Sequence, residues 1–328
     1  MRGLFYLSLL LSIHAEPDPV WKTVSLASGP LQIMVAGQPL SPTSRVLLFL
    51  HGFPEGSYTW YPIMATGLLD EYTLIAPDMP GYNASFSAAA RDGDYAVPRI
   101  ATVIEDLILF LGVPQVDLLA HDWGGGIAWW LAAAQLKSIR TLTILNMAHP
   151  LGWIFGVRSL ESQQRASAYV LSFIQPEFSA YLTADSCSQL RSWFAADAWF
   201  TPVMDAALLR SWQYGGEPGS VNAALGWYRA NIHPRCPLNC TAWDCLKQGV
   251  DSVFDEIPHN GTVTVPVRVL WGMQDTAFDN DFQLAFMASK VVPASNLQIT
   301  RYENASHWIG QEIPDTVAAQ IREFVEAH

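Results

Sequence analysis

The stretch that decides the fold is Leu118-Leu119-Ala120-His121-Asp122-Trp123-Gly124-Gly125-Gly126. An apolar run with the character of a buried strand ends at a polar pair, and small residues then lead into an apolar, helix-like segment. This order predicts a tight strand-turn-helix bend that raises the side chain of Asp122 above the edge of a sheet. Because such a bend presses backbone against backbone, it needs small residues two positions before and after the raised one, where Ala120 and Gly124 stand.

Asp122 has two interpretations from this stretch alone. A raised carboxylate suits nucleophilic attack on a saturated carbon, which gives an ester between substrate and enzyme. In the structural alternative, the carboxylate only caps the helix that begins near Trp123. The rest of the chain is needed to choose between them.

Composition restricts the class of protein. The chain has 328 residues, of which 50% are hydrophobic and 15% are charged, so we expect a sizeable core in one large domain with an insertion or in two domains. The 18 basic and 30 acidic residues give a net charge of −12, which argues against nucleic acid and anionic membrane surfaces as partners. No internal apolar run is long enough to span a bilayer.

Residues 1–15 have the pattern of a signal peptide. Arg2 supplies the positive region, Leu4 to Leu11 supply the apolar region, and Ala15 is a candidate cleavage point. The apolar region is too short for a transmembrane helix, although an uncleaved anchor is the alternative. We therefore expect the chain to enter the secretory pathway and to be extracellular.

Two further patterns agree with an oxidising, extracellular environment. Candidate N-glycosylation sites occur at Asn83, Asn239, Asn260 and Asn304. The even number of cysteines is compatible with disulfides, whose candidates are Cys187, Cys236, Cys240 and Cys245. Zinc binding is the competing interpretation, but no nearby pair of histidines completes a familiar ligand pattern, so we predict no metal. Because the four cysteines fall in one stretch, we expect them to staple a local subdomain, with the pairing left open.

Apolar strands alternate with helical segments along most of the chain, which is typical of the α/β class. The alternation stops after the sixth strand, and residues 151–262 show mostly helical periodicity and many aromatic residues. It resumes near residue 266. The sequence therefore predicts an α/β core of residues 16–150 and 263–328, with a helical cap formed by residues 151–262.

Two late strand ends supply partners for an aspartate nucleophile. Asp275 follows one predicted strand and His307 follows the next. An ester at Asp122 needs activated water for its hydrolysis, and a histidine oriented by a second carboxylate provides it. Taken singly, Asp275 also suits a turn and His307 a structural role. The order of nucleophile, acid and base at three strand ends favours catalysis.

These motifs resemble the α/β-hydrolase superfamily and, within it, the epoxide hydrolases. The resemblance is carried by His51-Gly52-Phe53-Pro54, by His121 to Gly125 and by Ala305-Ser306-His307-Trp308. It implies an α/β-hydrolase fold, with a mostly parallel eight-stranded sheet and a helical cap inserted after strand 6. It also implies conversion of an epoxide to a vicinal diol by Asp122, Asp275 and His307, with water and no cofactor.

The resemblance implies further site residues. Tyr169 and Tyr228 match the two cap tyrosines that bind and protonate the epoxide oxygen, and a neutral phenol suits that task; both also suit an aromatic core. The backbone N–H groups of Phe53 and Trp123 match an oxyanion hole, and Trp123 is also a candidate substrate contact. Pro54 fits a cis peptide bond, and His51 fits an organiser of the loop rather than a base.

Other functions use the same nucleophile or the same pocket. Haloalkane dehalogenases use halide donors, and here Phe53 stands where many have Asn, although Trp123 remains a candidate donor. Fluoroacetate dehalogenases hold a carboxylate with arginine beside the bend, and residues 123–130 contain none. A non-catalytic secreted binding module is the alternative from another class. The aromatic cap favours a lipophilic epoxide as substrate, with the oligomeric state left open.

Overall fold

One sheet carries the residues that the sequence singles out, in a computed structural model that describes residues 19–85, 92–216, 219–235, 245–246, 249–291 and 293–328. In the order of the sheet its strands are β1 (Val20–Leu26), β2 (Gly29–Gly37), β4 (Thr73–Pro77), β3 (Val46–Leu50), β5 (Val116–His121), β6 (Ile139–Leu145), β9 (Val267–Gly272) and β10 (Leu297–Tyr302). The pairs β1–β2 and β2–β4 are antiparallel and all the others are parallel. The predicted mostly parallel, eight-stranded sheet is confirmed.

Helices cover the sheet and fill the insertion. They are α1 (Tyr61–Met64), α2 (Val97–Leu111), α3 (Asp122–Ala133), α4 (Pro150–Ser159), α5 (Glu161–Ala166), α6 (Val170–Phe173), α7 (Phe178–Phe194), α8 (Pro202–Trp212), α9 (Gly219–Asn231), α10 (Asn280–Met287), α11 (Ile309–Glu312) and α12 (Pro314–Glu326). Single 3₁₀ turns span residues 57–60, 92–95, 253–256, 258–261 and 294–296.

Hydrophobic patterning explains why these elements form. All residues of β3, β4 and β5 are buried, as expected of strands covered by helices on both faces. Helix α2 buries residues at helical spacing, from Ile100 through Ile104 and Leu107 to Leu111, and leaves Leu109 exposed. It ends at Gly112, whose φ of 67° lies in the left-handed region that glycine adopts easily.

Between β6 and β9 the described chain is mainly helical, with α4 to α9 and a small antiparallel pair, β7 (Ile232–Pro234) with β8 (Val250–Ser252). Sequence patterning missed this pair because each strand has only three residues. Two indoles fasten these helices to loops of the sheet. Trp212 Nε1 donates to the carbonyl of Pro54 at 2.5 Å, and Trp227 Nε1 donates to the carbonyl of Pro80 at 3.0 Å.

The structure describes two of the four cysteines, Cys187 and Cys245. Cys187 is a buried thiol in α7, which corrects its inclusion among the disulfide candidates. The sequence assigned it to the cluster by proximity in the chain, which does not fix distance in space. Cys245 is buried, whereas Cys236 and Cys240 lie outside the described residues, so a disulfide among these three stays a prediction.

The predicted signal peptide of residues 1–15 and the sequon at Asn239 also lie outside the described residues. Asn260 and Asn304 are exposed, whereas the side chain of Asn83 hydrogen-bonds to Asp78. Within the described ranges, the structure contains no helix with the length and apolarity needed to cross a membrane.

Candidate active site

The bend after β5 is built as the sequence predicts. Asp122 has a φ of 49°, in the sparsely populated left-handed region. A Cβ at Gly124 would lie 2.3 Å from the carbonyl oxygen of Leu50, which explains the need for glycine there. The N-cap of α3 is His121, without a side-chain cap hydrogen bond, and the Asp122 carboxylate instead accepts from the N–H of Phe53 at 2.8 Å. The structure thus gives no support to the capping interpretation.

Asp122, Asp275 and His307 lie together at the carboxyl ends of β5, β9 and β10. His307 Nδ1 lies 2.7 Å from Asp275 Oδ2, and His307 Nε2 lies 3.6 Å from Asp122 Oδ2. Asp275 orients the imidazole, and the opposite nitrogen faces the candidate nucleophile. This is the geometry in which a histidine activates water beside an ester.

The charges of these three groups shift the pKa values of Asp122 and His307. Burial alone would raise the pKa of Asp122, but hydrogen bonding and the charge of His307 outweigh it and lower that pKa below its ordinary value. Burial alone would lower the pKa of His307, but Asp275 and Asp122 hold it well above its usual value. Asp122 is therefore ionised at neutral pH and available as a nucleophile.

Asn146 fixes the position of Asp275, a role that the sequence did not reveal. Its Nδ2 donates to Asp275 Oδ2 at 2.8 Å, and its Oδ1 accepts from the N–H of Gly272 at 2.8 Å. The N–H of Ala277 donates to the other oxygen of Asp275 at 2.8 Å. Asn146 follows β6 directly, so a polar residue at a fourth strand end was the available signal.

His121 and Glu55 support the segment that carries His307. His121 Nε2 contacts the carbonyl of His307 at 2.9 Å, and its Nδ1 contacts Glu55 Oε2 at 3.2 Å. Glu55 is buried and also accepts from Thr59 and Gln311. The signals were present in the sequence, because Glu55 follows the His-Gly-Phe-Pro loop and His121 precedes Asp122.

His51 acts within its own loop. Its Nε2 accepts from the N–H of Met79 at 2.9 Å and its Nδ1 lies 2.9 Å from the carbonyl of Gly52. Burial lowers the pKa of His51 to about 4, so the ring is neutral and its two nitrogens are occupied. These contacts match the predicted loop organiser rather than a base.

The two predicted oxyanion donors flank Asp122. The Phe53 N–H already binds Asp122 Oδ1, and the peptide bond between Phe53 and Pro54 is cis. Trp123 stands in the first turn of α3, where backbone N–H groups have no partner within the helix. The Phe53 N–H is thus placed to stabilise negative charge on Asp122 Oδ1, and the Trp123 N–H stays the predicted second donor.

Tyr169 and Tyr228 stand over Asp122 from the helical insertion, with their ring centroids 6.4 Å apart. Tyr228 lies on α9 and Tyr169 directly precedes α6. Burial, with a further contribution from the charge of Asp122, raises the pKa of both phenols above the ordinary value. Both therefore stay protonated at neutral pH, as a hydrogen-bond donor to an oxygen atom requires.

These side chains line a cavity of about 410 Å³. Its floor is formed by Asp122, Asp275 and His307, and its apolar walls include Phe173, Phe178, Trp193 and Trp308. Across the described ranges, no cluster of three or more His, Cys, Asp or Glu side chains is suited to hold a metal ion.

A model of the alpha/beta hydrolase fold family matches residues 45–312. The chain belongs to this family. AB hydrolase superfamily protein YfhM of Bacillus subtilis is 28% identical to this α/β-hydrolase over 307 residues, which cover 90% of this chain and 94% of that protein. Epoxide hydrolase 4 of Mus musculus is 26% identical over 287 residues, which cover 86% and 73%.

The solved structures that resemble this chain also include an epoxide hydrolase. A Bacillus megaterium epoxide hydrolase, determined in complex with an inhibitor, superimposes with a TM-score of 0.77 at 26% identity. The match covers 93% of this α/β-hydrolase and all of that chain. The resemblance to epoxide hydrolases that the motifs predicted is confirmed.

Proposed function

We propose that this α/β-hydrolase converts an epoxide to a vicinal diol through a covalent ester at Asp122. The observation that carries the proposal is the placement of two neutral phenols opposite an ionised carboxylate that has His307 beside it. To open a strained cyclic ether, a site needs an acid that protonates the ring oxygen and a nucleophile that attacks a ring carbon.

In the first step, Asp122 Oδ2 forms a bond to an epoxide carbon, and the ring carbon–oxygen bond breaks. The oxygen keeps the electron pair and takes a proton from Tyr169 or Tyr228. Asp122 Oδ1 becomes the ester carbonyl, and it already accepts from Phe53.

After the first step, His307 gives the proton it carries at rest to the phenolate. In the second step, the neutral His307 takes a proton from water, and the resulting hydroxide attacks the ester carbonyl. The oxyanion is stabilised by the N–H groups of Phe53 and Trp123. On collapse, the acyl carbon–oxygen bond breaks, and the alkoxide takes the proton from His307. Asp122, released as the acid, gives its proton to His307, which restores the resting pair, so water is the only reagent consumed.

Haloalkane dehalogenation uses the same nucleophile. It differs from epoxide opening in the hydrogen-bond donors, which bind a leaving halide instead of the ring oxygen. The Trp123 side chain hydrogen-bonds to the phenol of Tyr228, which engages the one candidate halide donor. We therefore expect diol from epoxides and no halide release from chloro- or bromoalkanes.

The test is a trapping experiment with His307→Gln, which leaves the first step intact and blocks the second. Intact-protein mass spectrometry after mixing with 1,2-epoxyoctane should show an added mass equal to one epoxide, mapped by peptide analysis to Asp122. The matched control is the double variant Asp122→Asn with His307→Gln, which should show no added mass. Wild-type enzyme that forms no diol from a broad epoxide panel, together with no adduct, would contradict the proposal.

We also propose that the chain is secreted and glycosylated, with a disulfide among Cys236, Cys240 and Cys245. The exposure of Asn260 and Asn304 supports this, because a glycan requires an accessible asparagine. Glycan mapping and N-terminal sequencing of the protein secreted from eukaryotic cells test it. Retention of residues 1–15 with no occupied sequon would contradict it.

A further inference from the structure

A second, much smaller cavity lies on the other side of the same reacting groups. Asp122, Tyr169 and Tyr228 line both the cavity of about 410 Å³ and a second cavity of about 30 Å³. If the function proposed above holds, the epoxide oxygen binds the phenols and a ring carbon faces Asp122. The substituents on the two ring carbons then point toward opposite cavities.

Three of the side chains that line the small cavity are bulky and tightly held. Phe254 is 2% exposed and its ring stacks on Trp123 at a centroid distance of 6.1 Å. Trp153 is fixed by a hydrogen bond from its indole to Ser167 Oγ at 3.0 Å. Ile232 is 4% exposed and closes another side. Such interiors are close-packed and do not yield without strain.

The small cavity, at about 30 Å³, has less than a tenth of the volume of the wide one, so it admits a small group such as a methyl group and not a long chain. The wide cavity, in contrast, holds a long or aromatic substituent against Phe173, Phe178 and Trp193. The wide cavity and the small cavity thus accept substituents of very different size.

We propose that the enzyme is specific for terminal epoxides and for internal epoxides that carry a methyl group on one ring carbon. The large substituent occupies the wide cavity, and Phe254, Trp153 and Ile232 exclude a second large substituent from the small one. Epoxides with bulky groups on both carbons are poor substrates.

Three isomers test this at constant composition: 1,2-epoxyoctane, trans-2,3-epoxyoctane and trans-4,5-epoxyoctane. We expect kcat/KM for the 2,3-isomer to lie within about tenfold of that for the 1,2-isomer. For the 4,5-isomer we expect kcat/KM to be lower by roughly 10- to 200-fold, the range for misfit of a methylene group in an apolar pocket. Equal values for the 1,2- and 4,5-isomers would overturn the specificity while leaving epoxide hydrolysis standing. Absence of diol from all three isomers and from the broad panel would overturn both.

Alanine variants of the residues that line the two cavities test whether the wall of the small cavity causes this specificity. Phe254→Ala should raise kcat/KM for the 4,5-isomer relative to the 1,2-isomer by about tenfold or more. Phe178→Ala removes the same volume from the wide cavity and should leave that ratio within about threefold. If Phe254→Ala is not recovered folded, Ile232→Ala enlarges the same cavity. A ratio that shifts equally in the Phe254 and Phe178 variants would contradict the assignment of the small cavity.

Discussion

At the level of single residues, the charge on Asp122 raises the pKa of His307, and in the proposed mechanism this coupling orders the two chemical steps. In the resting site, Asp275 and Asp122 together raise the pKa of His307. The proposed esterification would remove the charge of Asp122 and with it one of the two stabilising anions. In the proposed mechanism the pKa of His307 then falls, so the imidazolium gives its proton to the phenolate formed in the first step, and the neutral imidazole can accept a proton from water.

Asp122→Asn should therefore lower the pKa of His307, because the neutral amide no longer stabilises the imidazolium. An NMR titration of the His307 ring in the variant and in wild type measures the shift. Asp70→Asn, at an exposed position, is the control and should leave the pKa of His307 unchanged. An unchanged or higher value in Asp122→Asn would contradict the coupling.

At the scale of elements, α9 and the residue before α6 place the two phenols over Asp122, the proposed nucleophile, at the junction of β5 and α3. Removing one hydroxyl leaves one donor for the ring oxygen, and removing both leaves none. Tyr169→Phe and Tyr228→Phe should each lower the rate of ester formation. The double variant should lose about 10² to 10⁴-fold, the usual worth of general acid catalysis.

Rapid-mixing measurements of ester formation in the tyrosine variants check this expectation. Tyr181→Phe, on α7 and 52% exposed, is the matched control and should behave as wild type. Full activity in the double variant would show that the phenols do not donate to the substrate.

Asn146 couples the ends of β6 and β9, since it binds both Asp275 and the backbone of Gly272. Asn146→Ala leaves the Gly272 N–H without this acceptor, a loss worth about 1–3 kcal/mol of unfolding free energy when the group is buried. It also frees Asp275 to move, so ester hydrolysis should slow more than ester formation. Single-turnover kinetics resolve the two steps, and equal slowing of both would contradict a positioning role.

The sequence predicted some elements of the fold and the site but not others. The strands and the residues at their ends were predictable because buried apolar runs and the loops after them are local signals, as at His121 and Asp122. The narrow cavity was not predictable, because Phe254, Ile232 and Trp153 lie far apart in sequence and meet only through tertiary packing. The role of Asn146 was not predictable either, because its contact with Asp275 spans 129 positions of the chain and leaves no local pattern.

At the scale of the whole molecule, a buried carboxyl outside the catalytic group makes stability depend on pH. Asp78 is fully buried, and burial raises its pKa from 3.8 to about 6. Its folded form thus binds a proton more tightly than the unfolded chain does. Its contribution to stability is fully present below pH 3.8 and is lost as the pH rises to about 6, amounting to about 3 kcal/mol.

Asp78→Asn cannot ionise and should remove this dependence. The amide oxygen can still accept from the Ser57 N–H, which donates to Asp78 Oδ1 at 2.7 Å. Denaturant unfolding at pH 4 and pH 7 should show a smaller loss of stability with rising pH in the variant than in wild type. An identical loss in both proteins would show that Asp78 does not titrate in this range.

The covalent ester at Asp122 is tested most directly by a single turnover in oxygen-18 water, with enzyme in excess over epoxide. Because water enters the ester carbonyl and not the substrate carbon, the diol should contain only unlabelled oxygen, and one labelled oxygen should appear in the peptide that contains Asp122. A labelled diol together with an unlabelled Asp122 peptide would mean that water attacks the epoxide directly, and the covalent mechanism would be wrong.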